Sequence, residues 1–420
     1  MLAIVLWIFA AIIFVSAAQS ESDPREVVNA SEILHKIELG KDVNYVGKTI
    51  VGDIDIDDLK LQEVPTARSP EDIKYLGLSR NLKVVRSPLI FQDCLVDGSI
   101  NLSNARMLAP ASFSHCTILR EAIFHGSEFY ASADFSYLRF NHIADLIGTE
   151  FNVSANFLQS QFNKPAKFMG SRFNEFADFR GSQFNESANF RGSQFNKFAY
   201  FSSSHFNEYA DFDQTKFLGD LSFEGSRIDN LSLNHAEFGK IFMRWKDVTL
   251  MEYDETAYLL LIGNFKNLNF LEDANDCYYD YRNDRRATLP WYYQPVDYAL
   301  MLFYGYGVKP DRPVLWSLFF MAFFAAPFWW RQGILPVREG EPEEEANRFS
   351  LLEAAAFSAM TFLSGGKLVF DPPEYRIASG RPWRDVQISK ALFILERLLG
   401  MVLIIMFAIA VGKTIILGGG

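Results

Sequence analysis

Enzymes and metal proteins need nucleophiles, proton carriers or ligands at workable spacings, and this chain offers few. Its six histidines, His35, His115, His125, His142, His205 and His235, are scattered, and its three cysteines, Cys94, Cys116 and Cys277, lack metal or redox spacing. No Ser/His/Asp set, phosphate loop or paired zinc motif occurs, so the reading is of a non-enzyme without cofactor or metal. Two other kinds of polar residue stand out. Asn29, Asn101, Asn152, Asn185 and Asn230 head Asn-x-Ser sequons and are candidate glycosylation sites in an exported chain, although an Asn- and Ser-rich repeat also generates such triplets by composition. The second kind lies within apolar stretches near the carboxy terminus: Glu353, Thr361, Ser364, Gly365, Gly366, and Glu396 beside Arg397. Acids there must face protein or water, so a permeation path and a clamp between helices are both open.

The element that organises the chain lies between these groups. From Phe151 to Phe217 six units of eleven residues follow one another, each opening with Phe-Asn and carrying a second aromatic at its seventh position. Phe residues therefore alternate at spacings of six and five, and two residues before each sits Ala, Ser or Thr with a mostly polar residue between. Small-polar-large is period-two alternation, which points small residue and Phe to one side. Such spacings scatter around a helix of 3.6 residues per turn, so an amphipathic helix is excluded. Very short strands, each with one large inward residue, remain: a parallel β-solenoid whose coils bury their core only by stacking.

Ala133-Asp134-Phe135, Ala144-Asp145-Leu146, Ala155-Asn156-Phe157, Ala177-Asp178-Phe179, Ala188-Asn189-Phe190 and Ala210-Asp211-Phe212 carry the A-(D/N)-(L/F) motif. In these residues the chain resembles the pentapeptide-repeat family. The resemblance implies a right-handed, four-sided β-helix, here with one extra residue in every second unit and hence about 22 residues per coil. A smaller coil closing every eleven residues is the alternative.

Residues Met1–Ala18 form an apolar run, read as a secretory signal peptide or else an uncleaved N-terminal anchor. Glu21–Gly40 is expected to be a helical cap with an apolar stripe at Ile33, Leu34 and Ile37, residues 21–83 holding this cap and the first strands. The solenoid is assigned to 84–245 and a helical juxtamembrane linker to 250–313. In that linker Arg282, Arg285, Arg286, Lys309 and Arg312, with Trp291, Tyr292 and Tyr293, read as an interfacial collar.

Residues 314–330 and 391–417 are long and apolar enough to span a bilayer, and 350–363 is shorter and ends in Ser364-Gly365-Gly366. Helix, Gly-rich break and spanning helix resemble the two-helix potassium-channel-type pore module. The resemblance implies a re-entrant pore helix, with Gly400 as a hinge in the inner helix, and a tetramer. The filter position reads Thr361-Phe362-Leu363-Ser364-Gly365-Gly366, so potassium selectivity is not carried over. Gly305-Tyr306-Gly307 precedes the first span and is read as a decoy.

The net charge of −11 argues against a nucleic-acid partner. Six acids and seven bases between Phe151 and Phe217 make a near-neutral face, which cannot imitate a polyphosphate. Two functions follow as expectations. One is a structural or interaction scaffold, anchored in the cell membrane and displaying the solenoid, outside the cell if the leader is cleaved, to an unidentified protein. The other is an ion-channel-like homo-oligomer regulated by the solenoid.

Overall fold

A computed structural model describes residues 25–337, 350–365 and 371–416. The signal or anchor at 1–18, the acidic loop at 339–345, and Gly366 lie outside the described residues. The chain divides into two compact units, Met1–Ala257 and Tyr258–Gly420.

The first unit is a parallel β-solenoid. Through its regular part, strands mostly two or three residues long pair with strands 22 residues away, as in Ala155↔Ala177 and Phe162↔Phe184. That register settles the coil at 22 residues with four sides. Each coil visits the sides in order, for example through Ala155–Asn156, Gln161–Phe162, Ala166–Lys167 and Arg172–Phe173. Helix α1 (Ala30–Glu38) precedes the first full coil and turns Ile33 and Ile37 inward. Asn29 caps it by accepting from the Ser31 amide. Strands begin earlier than the sequence suggests, at Val27–Asn29, which pairs with Thr49–Val51.

Each side contributes one column to the core. Phe135, Phe157, Phe179 and Phe201 stack at centroid separations of 4.7–4.8 Å, and Phe140, Phe162, Phe184 and Phe206 at 4.6–4.8 Å. Rings of adjacent sides meet edge-on, Phe157 and Phe168 at 5.5 Å and 85°. Parallel offset stacks along the axis and T-shaped contacts across it both suit the aromatic quadrupole.

The small and polar repeat residues each answer a backbone need. Ser160, Ser171, Ser182, Ser193 and Ser204 are fully buried. Each donates its hydroxyl to the carbonyl 25 residues earlier, Ser182 to Phe157 at 2.7 Å. Asp134, Asp145, Asn156, Asp178, Asn189 and Asp211 accept from the amide two residues on, fixing the turn. The Asn of each Phe-Asn pair builds an amide ladder: Asn207 to Asn185 to Asn163 to Asn141, and Asn196 to Asn174 to Asn152.

Residues 58–80, which interrupt the repeat, form a strap along the outside of the solenoid. Strand Glu63–Pro65 pairs antiparallel with Asn81–Leu82–Lys83, and helix α2 (Pro70–Leu76) follows. Asp72 reaches Arg172 at 2.6 Å, and Thr66 donates to Glu128 at 2.7 Å. The strap lies on a column of corner residues with positive φ: Gly126, Gly148 and Gly170. A side chain on Gly170 would approach Leu76 to 2.6 Å and one on Gly148 would approach Leu78 to 2.9 Å, so this column is bare where the strap crosses it.

His125 stands at the same corner, with Nδ1 3.7 Å from Asp145 and Nε2 3.5 Å from the Gly77 carbonyl of the strap. The Asp145 carboxylate beside it, against some desolvation and the nearby Arg68, raises its pKa above 6.5. The stabilisation is complete below the unfolded value and is lost as pH rises through the folded one. Thermal unfolding of wild type and His125→Gln should therefore differ most in mildly acidic buffer and converge at alkaline pH; a gap that widens with pH would refute the assignment.

The second unit is helical. Helix α3 (Glu255–Asn267) crosses the boundary into it. Then come α4 (Leu271–Arg285), α5 (Gln294–Tyr304), α6 (Asp311–Arg331), α7 (Leu351–Leu363) and α8 (Trp383–Ile416). An antiparallel pair, Ile334–Pro336 with Tyr375–Ile377, joins the loops after α6 and before α8. Helices α6, α7 and α8 share a core of Phe324, Phe328, Ala354, Phe357 and Phe393.

Candidate functional site

The carboxy-terminal residues nominated by sequence come together only in part. Glu353 is the third residue of α7, where its carboxylate accepts from the Ser350 amide at 2.9 Å while the Ser350 hydroxyl accepts from the Glu353 amide. This is a capping box, which satisfies two otherwise orphaned helix-end amides. Thr361 donates to the Phe357 carbonyl at 2.8 Å and Ser364 to the Thr361 carbonyl at 2.7 Å, so both buried hydroxyls serve the helix they sit on. Gly365 and Gly400 are where α7 and α8 touch: a Cβ on Gly400 would lie 2.1 Å from the Phe362 carbonyl oxygen. Gly400 thus marks a close backbone approach of the two helices.

Glu396 is fully buried on α8 and bonds the Ser358 hydroxyl of α7, which also contacts the Met321 carbonyl of α6 at 2.7 Å. One serine therefore ties all three helices at the level of a buried carboxyl. Ser358 did not stand out in the sequence, because a serine among alanines on an apolar helix carries no signal until its neighbours are known.

The linker holds a second cluster. Asp297 of α5 pairs with Arg286 at 3.0 Å and Arg282 at 2.8 Å and accepts from the Tyr306 hydroxyl at 2.6 Å. Burial would raise the Asp297 carboxyl, but these three partners outweigh it and hold it below the usual carboxylate range. Burial and Asp297 push the Tyr306 phenol up to about 12. Arg282 and Arg286, read from sequence as part of a basic collar, turn inward to an acid instead. Trp291, Tyr292 and Tyr293 do stand exposed. Gly305-Tyr306-Gly307 is a tight turn with Tyr306 at φ 56°, serving this network.

The sequon asparagines differ in availability. Asn29 is exposed and uses only its side-chain oxygen in the helix cap. Asn185 donates its amide to Asn163, so a glycan there would break the ladder. Asn101 donates to Asp55 at 3.1 Å and Asp57 at 3.2 Å. Asn152 ends its ladder as an acceptor, and Asn230 is half-buried.

Among the described residues no three His, Cys, Asp or Glu side chains converge as metal ligands. Cys94 and Cys116 are buried and free, one coil apart, with the Cys94 amide 3.3 Å from the Cys116 sulfur. His115 stacks on Tyr137 at 4.3 Å, and His142 lies 3.6 Å from Glu121.

Comparison with known families returns a model described as Pentapeptide repeats (9 copies), matching residues 91–139 and 157–205. Neither a curated protein nor a solved structure matches the chain. The pore-module resemblance has no family match behind it. The matched residues are those that build the 22-residue coils and stacked Phe columns, so residues 91–139 and 157–205 of the solenoid are pentapeptide repeats.

Proposed function

We propose that the chain is a membrane-anchored scaffold, in which α6 and α8 hold the protein in a bilayer and the solenoid offers a rigid polar surface to a protein partner. The carrying observation is the exposure of the two apolar helices. In each, only 22% of the most apolar 18-residue window is buried within the chain. Leu315, Leu318, Phe323 and Trp330 of α6, and Ile394, Leu398, Val402 and Ile409 of α8, point outward. A core helix of a water-soluble protein hides such side chains, and hydrocarbon is the medium in which they cost nothing. The inward side chains Ser358 and Glu396 fit the same reading, since polar groups in a membrane bundle face protein.

We place the solenoid on the exported side, following the leader-like Met1–Ala18. The channel alternative is the weaker reading, because Glu353, Thr361 and Ser364 each serve the cap or backbone of their own helix and one oxygen of Glu396 is taken up by Ser358. Alkaline carbonate washing of membranes should leave the protein in the pellet, and protease added to intact cells should reach the solenoid. Release into the supernatant would overturn the anchor; protection of the solenoid would reverse its side.

A further inference from the structure

The strap does not cover the whole corner column. Gly126, Gly148 and Gly170 lie beneath it, but one coil further Gly192, with φ +64, has nothing within 4 Å of where a Cβ would stand. Just there, between the end of α2 and the solenoid wall, is a cavity of about 230 Å³. Four cations line it, Arg68, Arg172, Arg191 and Lys216, against one carboxylate, Asp72.

Arg68 is the informative member. Its side chain is 6% exposed, and its Nε is buried without a hydrogen-bond partner. The contacts it does make are long: 3.5 Å to the Ser127 carbonyl and 3.9 Å to Glu150. A guanidinium has five N–H donors in a fixed fork and is costly to bury underused. The other three cations are countered from outside or at the rim: Arg172 by Asp72 at 2.6 Å, Arg191 by Asp213 at 3.5 Å and Lys216 by Glu237 at 3.2 Å. None of those carboxylates but Asp72 lines the cavity. Gln194 and Gln214 add neutral amides to its wall.

We infer that the cavity between strap and solenoid is a binding site for a small oxyanion ligand, one bearing a phosphate or carboxylates. Arg forks match the geometry of both groups, and the volume suits a single small molecule, below the usual span for drug-sized ligands. Because the ligand would touch both Arg68 on the strap and Arg191 on the solenoid, occupancy locks the strap in place. The inference rests on the first unit alone and does not depend on how the chain is anchored.

Calorimetric titration of the full-length protein in detergent, with inorganic phosphate and separately with citrate, tests it, sodium chloride of matched ionic strength serving as the control. Saturable binding of one anion, absent with chloride, is expected, and which anion binds identifies the group recognised. Arg191→Gln, at the open side, should weaken that binding by about tenfold or more, corresponding to roughly 1.4 kcal/mol. Gly192→Asp should abolish it by placing a carboxylate on the floor. That variant has room, and Asn104 already adopts the left-handed backbone in the same column. No saturable heat with either anion, an equal response to chloride, or binding that survives both substitutions would overturn the site.

Discussion

Truncating Phe179 to alanine is expected to destabilise the solenoid by about 3–5 kcal/mol, the range for emptying a fully buried aromatic position. Phe179 is fully buried, stacks between Phe157 at 4.7 Å and Phe201 at 4.8 Å, and meets Phe168 and Phe190 edge-on at 5.5 Å. The cavity cannot close easily. Main-chain ladders on four sides fix the distance between coils, so neighbouring rings cannot slide inward without breaking strand pairing. Urea titration followed by far-ultraviolet circular dichroism should show an earlier midpoint at unchanged slope. A loss below about 1 kcal/mol would mean that the strand ladders and not the rings carry the array.

Asp297→Ala should cost the helical unit a comparable amount, about 3–5 kcal/mol, because it strands two buried or half-buried guanidiniums. Arg286 keeps uncharged neighbours such as Asn283, Tyr298, Tyr306 and Met301, and Arg282 keeps the Tyr278 hydroxyl and the Tyr306 ring. The same acid gives the unit a pH dependence. Its folded pKa lies below the ordinary 3.8, so its contribution is present above that value and is lost as pH falls through the folded pKa. Thermal unfolding in detergent, followed by near-ultraviolet circular dichroism, should therefore show the wild-type advantage over the variant shrinking only in strong acid. An advantage that is already gone at mildly acidic pH would assign the stabilisation to some other group.

The repeat was legible because its signal is short-range and redundant: the Phe spacing of six and five excludes a helix within a single unit, and further units only repeat the statement. Coil length was not, since eleven and 22 differ only in which strand a strand touches. The serines show what depends on that choice. As sequence they are merely small; only once Ser182 sits above the Phe157 carbonyl does its hydroxyl have an acceptor. The strap was the largest gap. Its contacts join residues as far apart as Asp72 and Arg172; the sequence shows only that Pro65–Leu82 breaks the strand rhythm, and the glycines at 126, 148 and 170 look like ordinary turn chemistry until a second segment is laid over them. At the carboxy end, apolar length foretold α6 and α8 to within a few residues, save for the amino-terminal turns of α8. Neither the capping role of Glu353 nor the inward turn of Arg282 and Arg286 could be read there, because charge alone does not tell a side chain facing water from one facing Asp297.

The 22-residue coil also sets how such a chain can change length. Removing or duplicating a whole coil leaves every later ring, asparagine and serine above its own kind and rotates nothing. Removing one eleven-residue unit also preserves the local rhythm, yet it swings everything downstream half a revolution about the long axis. Between Glu128 and Arg172, where the strap is fastened, even a whole-coil change would pull its two attachment points out of reach of one another. Beyond Lys216 no strap contact remains to be disturbed among the described residues. The solenoid thus has one clamped stretch whose length is fixed, and beyond it a stretch of plain coils whose number can change in steps of one.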